Sequence, residues 1–341
     1  MASPDPIPFG SRRIGRGEPV LIIAEIGINH EGDEAVCARM IEAASRAGAD
    51  AIKLQTVDAD ESYAPETQSH ALFSRAALSA EATARMFDLA RGLRLEPFTT
   101  CGDMATLEWV DRLDPAGHKI SSGLLTHIPL IRRAAAKGRS ILISTGMATV
   151  ADIDAAVVAA EGAPLGLMQC TSLYPAPPHQ LNLRAIQSLA DRYGVPVGFS
   201  DHSLGTEAAA IATAAGAHMI EKHFTLDASR AHFDHHLSLD PSAFGRMVQQ
   251  VRAAESMLGS PSKAPVGDEV ANRLKVHRSL VAKRAMPAGH RLGVDDIAVL
   301  RTLPGQGGLP PAMLERVIGR RLRREIRAFE ALSDELLENE S

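Results

Sequence analysis

Cysteine is scarce in this sequence. Its 341 residues include three cysteines, Cys37, Cys101 and Cys170, which lie far apart along the chain. An odd number of widely spaced cysteines argues against a disulfide framework and against a zinc ribbon, whose ligands come in close pairs. Because this usage is typical of a reducing compartment, we expect a cytoplasmic protein.

Long apolar runs and an excess of charge are also missing. No run approaches the roughly 18 apolar residues that would cross a membrane, and the first residues lack the basic-then-apolar order of a signal peptide. The formal net charge is −5, which gives no electrostatic support for general nucleic-acid binding. We therefore expect neither a membrane nor a nucleic acid as a partner.

What the sequence does contain is a regular alternation of two kinds of segment. Short apolar runs occupy residues 20–26, 51–54, 95–98, 118–120, 141–143, 165–168, 195–199 and 218–220. Segments with apolar residues at helical spacing occupy residues 32–47, 79–91, 104–113, 128–136, 150–160, 183–193 and 205–214. This alternation predicts a parallel sheet. Eight units in about 200 residues favour a closed (β/α)8 TIM barrel over the alternative, an open doubly wound sheet.

The composition and the hydrophobic pattern of the chain change after the predicted barrel. We expect an N-terminal extension at residues 1–17, a barrel at 18–258 and a Gly-, Pro- and Ser-rich linker at 259–277. Residues 278–341 predict a small, mostly β domain, with strand-like runs at 279–282, 297–301 and 317–321. Five arginines within residues 320–327 are typical of a solvated face and less often of anion recognition.

Two histidines follow neighbouring strands of the predicted barrel. His202 and His223 come at the ends of the seventh and eighth strands, where two imidazoles with open remaining positions suit a divalent metal. A single histidine is more often structural, but two at equivalent positions favour a metal. Glu25, on the first strand, is a candidate carboxylate for chemistry, and the alternative is an ion pair with Lys53 inside the barrel.

Lysines and hydroxyl-bearing residues recur at the ends of the other predicted barrel strands. Lys53 and Lys119, with many Ser and Thr residues at strand ends, predict a site for phosphate and carboxylate groups; a Schiff-base lysine is the competing interpretation. Residues 232–236 follow the last strand on a loop. This loop is a polar connection, a second metal cluster or the source of a catalytic carboxylate, for which Asp234 is the best candidate.

Several of these segments resemble the sialic acid synthase family, and the match runs through roughly residues 18–338. The C-terminal part is similar to that family's antifreeze-like (SAF, β-clip) domain, in residues 278–280, 287–289 and 304–307. The barrel segments that carry the resemblance are residues 24–32 (AEIGINHEG), 53–55 (KLQ), 119–123 (KISSG), 144–147 (STGM), 174–175 (YP), 198–203 (GFSDHS), 221–225 (EKHFT) and 234–235 (DH).

The resemblance implies a reaction and a set of residues. Members of the family condense phosphoenolpyruvate with an aminosugar aldehyde such as N-acetylmannosamine, with Mn²⁺ or Mg²⁺, to a nine-carbon 2-keto acid and phosphate. They act as homodimers in which one chain's small domain covers the other's barrel. Metal binding falls on His202 and His223, and catalysis on Glu25, Lys53 and Asp234. Phosphoenolpyruvate binding falls on Lys53, Thr100, Lys119, Ser122, Ser144, Ser172 and Ser200. Acceptor binding falls on Glu25, Gln55, Tyr174 and Asp234.

Two segments depart from the family pattern. Leu303 stands where the family often has an arginine that contacts the N-acetyl group, and Arg301 lies two residues earlier. Residues 226–233 also differ from the family's Pro-Gly-rich loop. We therefore expect an acceptor without an ordinary acetamido group or with a different substituent. The alternatives are a synthase for a phosphorylated aldose, a metal-dependent pyruvate aldolase and a barrel that has lost catalysis.

Overall fold

The structure, a computed structural model, describes residues 5–303 and 307–338. The chain divides into two compact units, Met1–Gly259 and Ser260–Ser341. Residues 304–306, which carry part of the predicted SAF motif, lie outside the described residues. Among the residues described, no helix combines the length and apolar character needed to cross a bilayer.

The centre of the first unit is a closed barrel of eight parallel strands, β3 to β10 in chain order, with β10 next to β3. The predicted TIM barrel is therefore confirmed. The apolar run of the last strand stops at Ile220, and the strand continues through Glu221 and Lys222 to His223, where the sequence predicts its end, paired with β3 throughout. The strands of this unit are β1 Ile7–Phe9, β2 Arg12–Ile14, β3 Leu21–Gly27, β4 Ala51–Thr56, β5 Glu96–Cys101, β6 His118–Ile120, β7 Ile141–Ser144, β8 Leu165–Cys170, β9 Val197–Asp201 and β10 Met219–His223.

Helices cover the outside of the barrel, and each predicted helical segment contains one. Asp33, Ser79, Asp103 and Thr149 cap helix N-termini with their side chains. The pattern did not reveal the helices at Ala59–Ser62 and Gln68–Ala76, which follow β4, or the helix at Pro241–Leu258. The helices of the first unit are α1 Glu34–Arg46, α2 Ala59–Ser62, α3 Gln68–Ala76, α4 Ala80–Gly92, α5 Met104–Asp111, α6 Ile128–Ala135, α7 Val150–Ala159, α8 Ala185–Tyr193, α9 Glu207–Ala214 and α10 Pro241–Leu258.

The predicted N-terminal extension contributes to the core of the barrel. Strands β1 and β2 form an antiparallel hairpin whose Phe9 and Ile14 are fully buried. The Phe9 ring meets Phe98 edge-on at 5.0 Å, and both pack with Leu21 and Met219 at the beginnings of their strands. The hairpin therefore fills the amino-terminal end of the barrel with apolar side chains and leaves the polar groups at the opposite end.

The second unit has its own small core, which includes Leu280, Leu322 and Leu332. Strands β11 Ser279–Ala282 and β12 Ile297–Leu300 pair antiparallel, close to two of the predicted runs. The predicted run at 317–321 is wrong as a strand, because α12 Leu314–Val317 ends there and Gly319 takes a positive φ of 86°. Helix α11 Glu269–Val276 lies inside the predicted linker, where Gly and Pro are absent.

The arginines of residues 320–327 bond mainly within this unit. The Arg320 side chain donates to the Glu338 carbonyl, and Arg321 donates to the Gly289 carbonyl. Arg324 pairs with Glu330 at 2.7 Å. These contacts, together with the exposure of Arg321, Arg323, Arg324 and Arg327, favour a solvated face over anion recognition.

Candidate active site

The carboxyl ends of the barrel strands surround one cavity of about 1090 Å³. Every residue that the sequence nominated for the site lines it, so the structure brings the whole predicted set together. The set comprises Glu25, Lys53, Gln55, Thr100, Lys119, Ser122, Ser144, Ser172, Tyr174, Ser200, His202, His223 and Asp234.

The centre of the cavity floor is Glu221, to which the sequence analysis gave no role. Its carboxylate accepts from Lys53 Nζ at 2.8 Å and from Lys119 Nζ at 2.7 and 2.8 Å. Ser200 Oγ donates to it at 3.1 Å. Burial raises the pKa of Glu221, but the two ammonium groups outweigh burial and hold that pKa well below its usual range. The two lysines are therefore held together at one point by an internal anion.

Glu25 adjoins this cluster on strand β3. Its Oε2 lies 3.3 Å from Lys53 Nζ, so the ion pair considered from the sequence is present, and its Oε1 accepts from Gln55 Nε2 at 3.0 Å. Burial raises the pKa of the Glu25 carboxyl to about 7. A buried carboxyl with such a pKa can take up or release a proton near neutral pH.

Three buried hydroxyls around the lysines have no hydrogen-bond partner among the described residues: Thr100 Oγ1, Ser144 Oγ and Ser172 Oγ. Leaving a buried hydroxyl unsatisfied costs about 1–3 kcal/mol. Gly146 leaves room for Ser172 and for Ser122, because a Cβ at that position would come within 2.2 Å of Ser172 Oγ and within 2.7 Å of Ser122 Oγ. Buried donors around two ammonium groups form a site suited to phosphate and carboxylate oxygens.

His202 and His223 lie side by side, with ring centroids 5.3 Å apart. His202 is oriented by its Nδ1, 3.0 Å from the Thr171 carbonyl oxygen, and by Tyr174, which stacks on it at 4.2 Å. His223 is buried, its Nδ1 has no partner among the described residues, and burial lowers its pKa well below the usual value. A neutral imidazole is the form that binds a metal.

These two histidines fit a divalent metal as an incomplete ligand set. The observation that favours a ligand there is that His223 Nδ1 has no hydrogen-bond partner among the described residues; Asp234 Oδ2 lies 3.7 Å from it. Within residues 5–303 and 307–338, no three His, Cys, Asp or Glu side chains form a metal cluster. The two imidazoles would therefore leave coordination positions for substrate oxygens.

The loop with Asp234 is anchored to the barrel. Asn29 Oδ1 accepts from the Asp234 backbone N–H at 3.0 Å, and Asn29 Nδ2 donates to the Phe224 carbonyl and to Ser238 Oγ. His235 lies 2.6 Å from Thr225 Oγ1 and 3.1 Å from Glu31. These contacts engage the His235 ring in hydrogen bonds within the protein and fix Asp234 at the edge of the cavity.

Comparison with known families agrees with this geometry. Residues 40–263 match the model of the NeuB family, and residues 277–338 match that of the SAF domain. The SAF match places the small antiparallel unit in the class predicted from the sequence.

Individual relatives and structures match over nearly their full lengths. The N,N'-diacetyllegionaminic acid synthase of Legionella pneumophila is 34% identical over 96% of this chain and 98% of its own. The human N-acetylneuraminate-9-phosphate synthase is 31% identical over 96% of this chain and 95% of its own. The crystal structure of an N-acetylneuraminic acid synthetase from Leptospira borgpetersenii, in complex with citrate, aligns with a TM-score of 0.77 at 31% identity. That alignment covers 81% of this chain and 99% of the other.

Proposed function

The chain belongs to the NeuB family, and on that premise we propose that it condenses phosphoenolpyruvate with an aminosugar aldehyde. The products are a nine-carbon 2-keto sugar acid and inorganic phosphate. The observation that supports this most directly is the pair Lys53 and Lys119, 2.8 and 2.7 Å from Glu221, beside hydroxyls that have no hydrogen-bond partner in the described part of the chain. A small acid that has both a carboxylate and a phosphate group matches this combination of positive charge and hydrogen-bond donors.

The phosphoenolpyruvate end of the site comprises the lysines and the hydroxyls. We assign anion binding to Lys53, Thr100, Lys119, Ser122, Ser144, Ser172 and Ser200. Ser122 Oγ also accepts from the Gly146 backbone N–H at 3.0 Å, which fixes its orientation. The donors are held on rigid strand ends, so binding needs little reorganisation.

The acceptor end comprises Glu25, Gln55, Tyr174 and Asp234, beside the histidine pair. His202 and His223 would hold Mn²⁺ or Mg²⁺, which when bound polarises the aldehyde oxygen. C3 of phosphoenolpyruvate bonds to the aldehyde carbon, and the aldehyde oxygen takes a proton from solvent. Water adds at C2 and gives one proton to Glu25, with Asp234 on the sugar side as the alternative acceptor of that proton. Cleavage of the C2–O bond then expels phosphate, which takes the remaining proton of the C2 hydroxyl, and leaves the ketone.

As acceptor we propose N-acetylmannosamine or, in view of Leu303, a related hexose that has a different substituent in place of the ordinary acetamido group. In the second unit, Leu303 is 69% exposed, and it lines a cavity of about 1020 Å³ together with Arg301 and Phe329. An apolar side chain in place of the family's arginine removes a hydrogen-bond donor for an acetamido oxygen. A phosphorylated or non-acetamido aldose is the alternative acceptor for the same reaction.

Phosphate release from phosphoenolpyruvate with Mn²⁺ is expected to depend on one class of aldose. The panel is N-acetylmannosamine, 2,4-diacetamido-2,4,6-trideoxyhexoses, mannose and the available 6-phosphates. EDTA should lower the rate at least about tenfold, because the metal supplies several kcal/mol of charge stabilisation, and excess Mn²⁺ should restore it. Product formed from pyruvate without phosphate release would identify an aldolase instead. Binding of phosphoenolpyruvate without turnover of any aldose would contradict a synthase.

We further propose a cytoplasmic homodimer in which the small domain of one chain covers the partner's barrel. The three cysteines are buried and free, which favours a reducing compartment; fractionation of the source cells tests the location.

Removal of residues 260–341 is expected to lower activity at least about tenfold, because part of the acceptor's surroundings is lost. Sedimentation of the whole protein should give twice the chain mass of 36.3 kDa. A monomer whose truncated barrel keeps full activity would refute the arrangement.

A further inference from the structure

Two fully buried charges lie behind the histidine pair, outside the cavity. Asp201 on β9 and Lys222 on β10 are paired across the sheet, and their side chains are 0% exposed with Oδ2 and Nζ 2.9 Å apart. Side chains alternate along a strand. Glu221 and His223 line the cavity, so Asp201 and Lys222 point away from it and cannot touch a substrate there.

This ion pair holds the turn that carries His202. Asp201 Oδ1 accepts from the Ser203 backbone N–H at 2.8 Å and from Ser203 Oγ at 2.6 Å. Lys222 Nζ donates to the Ser203 carbonyl at 2.5 Å. The residues on both sides of His202 are thus bonded to a lysine that directly precedes His223 in the chain.

Stability alone is a poor explanation for such a pair. Desolvating two charges is expensive, and apolar residues of similar size in place of a buried ion pair are often neutral or stabilising. The geometric effect is more specific, because the pair links the backbones that carry the two imidazoles. The other constraints on His202 come from Thr171 and Tyr174, which contact its ring, and from the Ala176 backbone N–H, which donates to the His202 carbonyl at 2.9 Å. None of these hydrogen bonds reaches the backbone of β10.

We propose that Asp201 and Lys222 form a positioning clamp that fixes the spacing of His202 and His223, so that both imidazoles bind one divalent cation. The proposal rests on the metal assignment of the proposed function. Asp201, Lys222 and Ser203 are positioning residues, since they act through the histidines and do not contact a reacting atom.

The test is Mn²⁺ binding by the double variant Asp201→Asn/Lys222→Met. This variant removes both charges, so neither is left buried without its partner. Free Mn²⁺ is measured by electron paramagnetic resonance in the absence of phosphoenolpyruvate, and folding is checked by circular dichroism. We expect Mn²⁺ affinity about 10- to 100-fold below that of the wild type, the usual range for outer-shell partners of metal ligands. The KM for phosphoenolpyruvate at saturating Mn²⁺ should stay within about twofold.

A matched control is Asp50→Asn, at the other end of the barrel. Asp50 pairs with Arg252 at 2.6 Å and with Arg12 at 2.9 Å, so this variant loses a partly buried charge pair far from the histidines. It should lose thermal stability and keep its Mn²⁺ affinity. If the double variant does not fold, Ser203→Ala removes only the hydroxyl bond to Asp201 and should still weaken Mn²⁺ binding several-fold.

The outcomes distinguish failure of the clamp proposal from failure of the proposed function on which it rests. Wild-type Mn²⁺ affinity in the folded double variant would overturn the clamp and leave the synthase proposal intact. An equal loss of affinity in Asp50→Asn would also overturn it, because general destabilisation would then account for the effect. A wild-type protein that binds no Mn²⁺ would refute the metal assignment itself, and the clamp with it.

Discussion

Replacing Glu25 by glutamine is expected to lower kcat for phosphate release by about 10²- to 10⁴-fold, the usual contribution of a positioned proton acceptor. Glutamine has nearly the same shape and keeps the contact with Gln55, but it cannot take a proton from water. Lys53 retains Glu221 as a partner at 2.8 Å, so the fold should survive. Steady-state kinetics with saturating acceptor and Mn²⁺ measures the effect, and circular dichroism confirms folding.

The pH profile of kcat/KM provides a second readout for Glu25. Burial raises its pKa to about 7, and the base form exists above that pKa, so activity should rise as pH passes through about 7. This rise should disappear in Glu25→Gln. Glu34→Gln, which changes an exposed carboxylate bonded to Arg85, is the control and should keep both kcat and the profile. Unchanged turnover in a folded Glu25→Gln protein would exclude the base role.

Replacing Lys119 by methionine is expected to raise the KM for phosphoenolpyruvate by about 30-fold to several thousand-fold. Loss of one member of a buried charge pair costs about 2–5 kcal/mol at a binding site. In this site the loss removes one of two ammonium groups and leaves Glu221 with Lys53 alone. Isothermal calorimetry with phosphoenolpyruvate measures the affinity without any need for the acceptor.

Two companion variants define what the Lys119 result means. Lys137→Met removes a lysine that pairs with Glu108 at 2.6 Å outside the cavity, and it should leave phosphoenolpyruvate binding unchanged. Lys119→Met/Glu221→Gln removes the uncompensated carboxylate, so it should regain folding stability but not ligand affinity. If the double variant bound phosphoenolpyruvate as tightly as the wild type, Lys119 would serve to neutralise Glu221 and not to bind substrate.

Local sequence pattern was enough to predict the barrel and most of its polar end. Apolar runs of the right length alternate with amphipathic segments, and in a parallel barrel the strand ends necessarily meet. Lys53, Lys119, His202 and His223 were identified because each lies at or near the end of such a run. Their convergence on one cavity follows from the closure of the sheet.

Glu221 was passed over because its partners are distant in sequence. It lies 168 residues from Lys53 and 102 residues from Lys119 along the chain. Strand alternation offered a usable signal, since Glu221 is two residues from His223 and must face the same side. Its role as the shared partner of two lysines depends on which side chains meet across the barrel, and a local sequence pattern does not predict that.

The N-terminal hairpin was missed for a related reason. Strands of three residues give too few positions for a period of two to be recognised. Phe9 and Ile14 are buried by contacts with Phe98 and Met219, which come from distant strands. Helix α11 escaped detection because the Gly- and Pro-rich residues before it dominated the composition of the predicted linker.

The hairpin at the base of the barrel also has a consequence for biosynthesis. A ribosome that adds about 5–20 residues per second completes Met219 about 10–40 s after Phe9. Throughout that interval the Phe9 side chain lacks part of its binding surface, and the pairing of β10 with β3 that closes the barrel is not available. The hairpin therefore cannot complete its packing before β10 has been synthesised, even though it is the first part of the core to leave the ribosome.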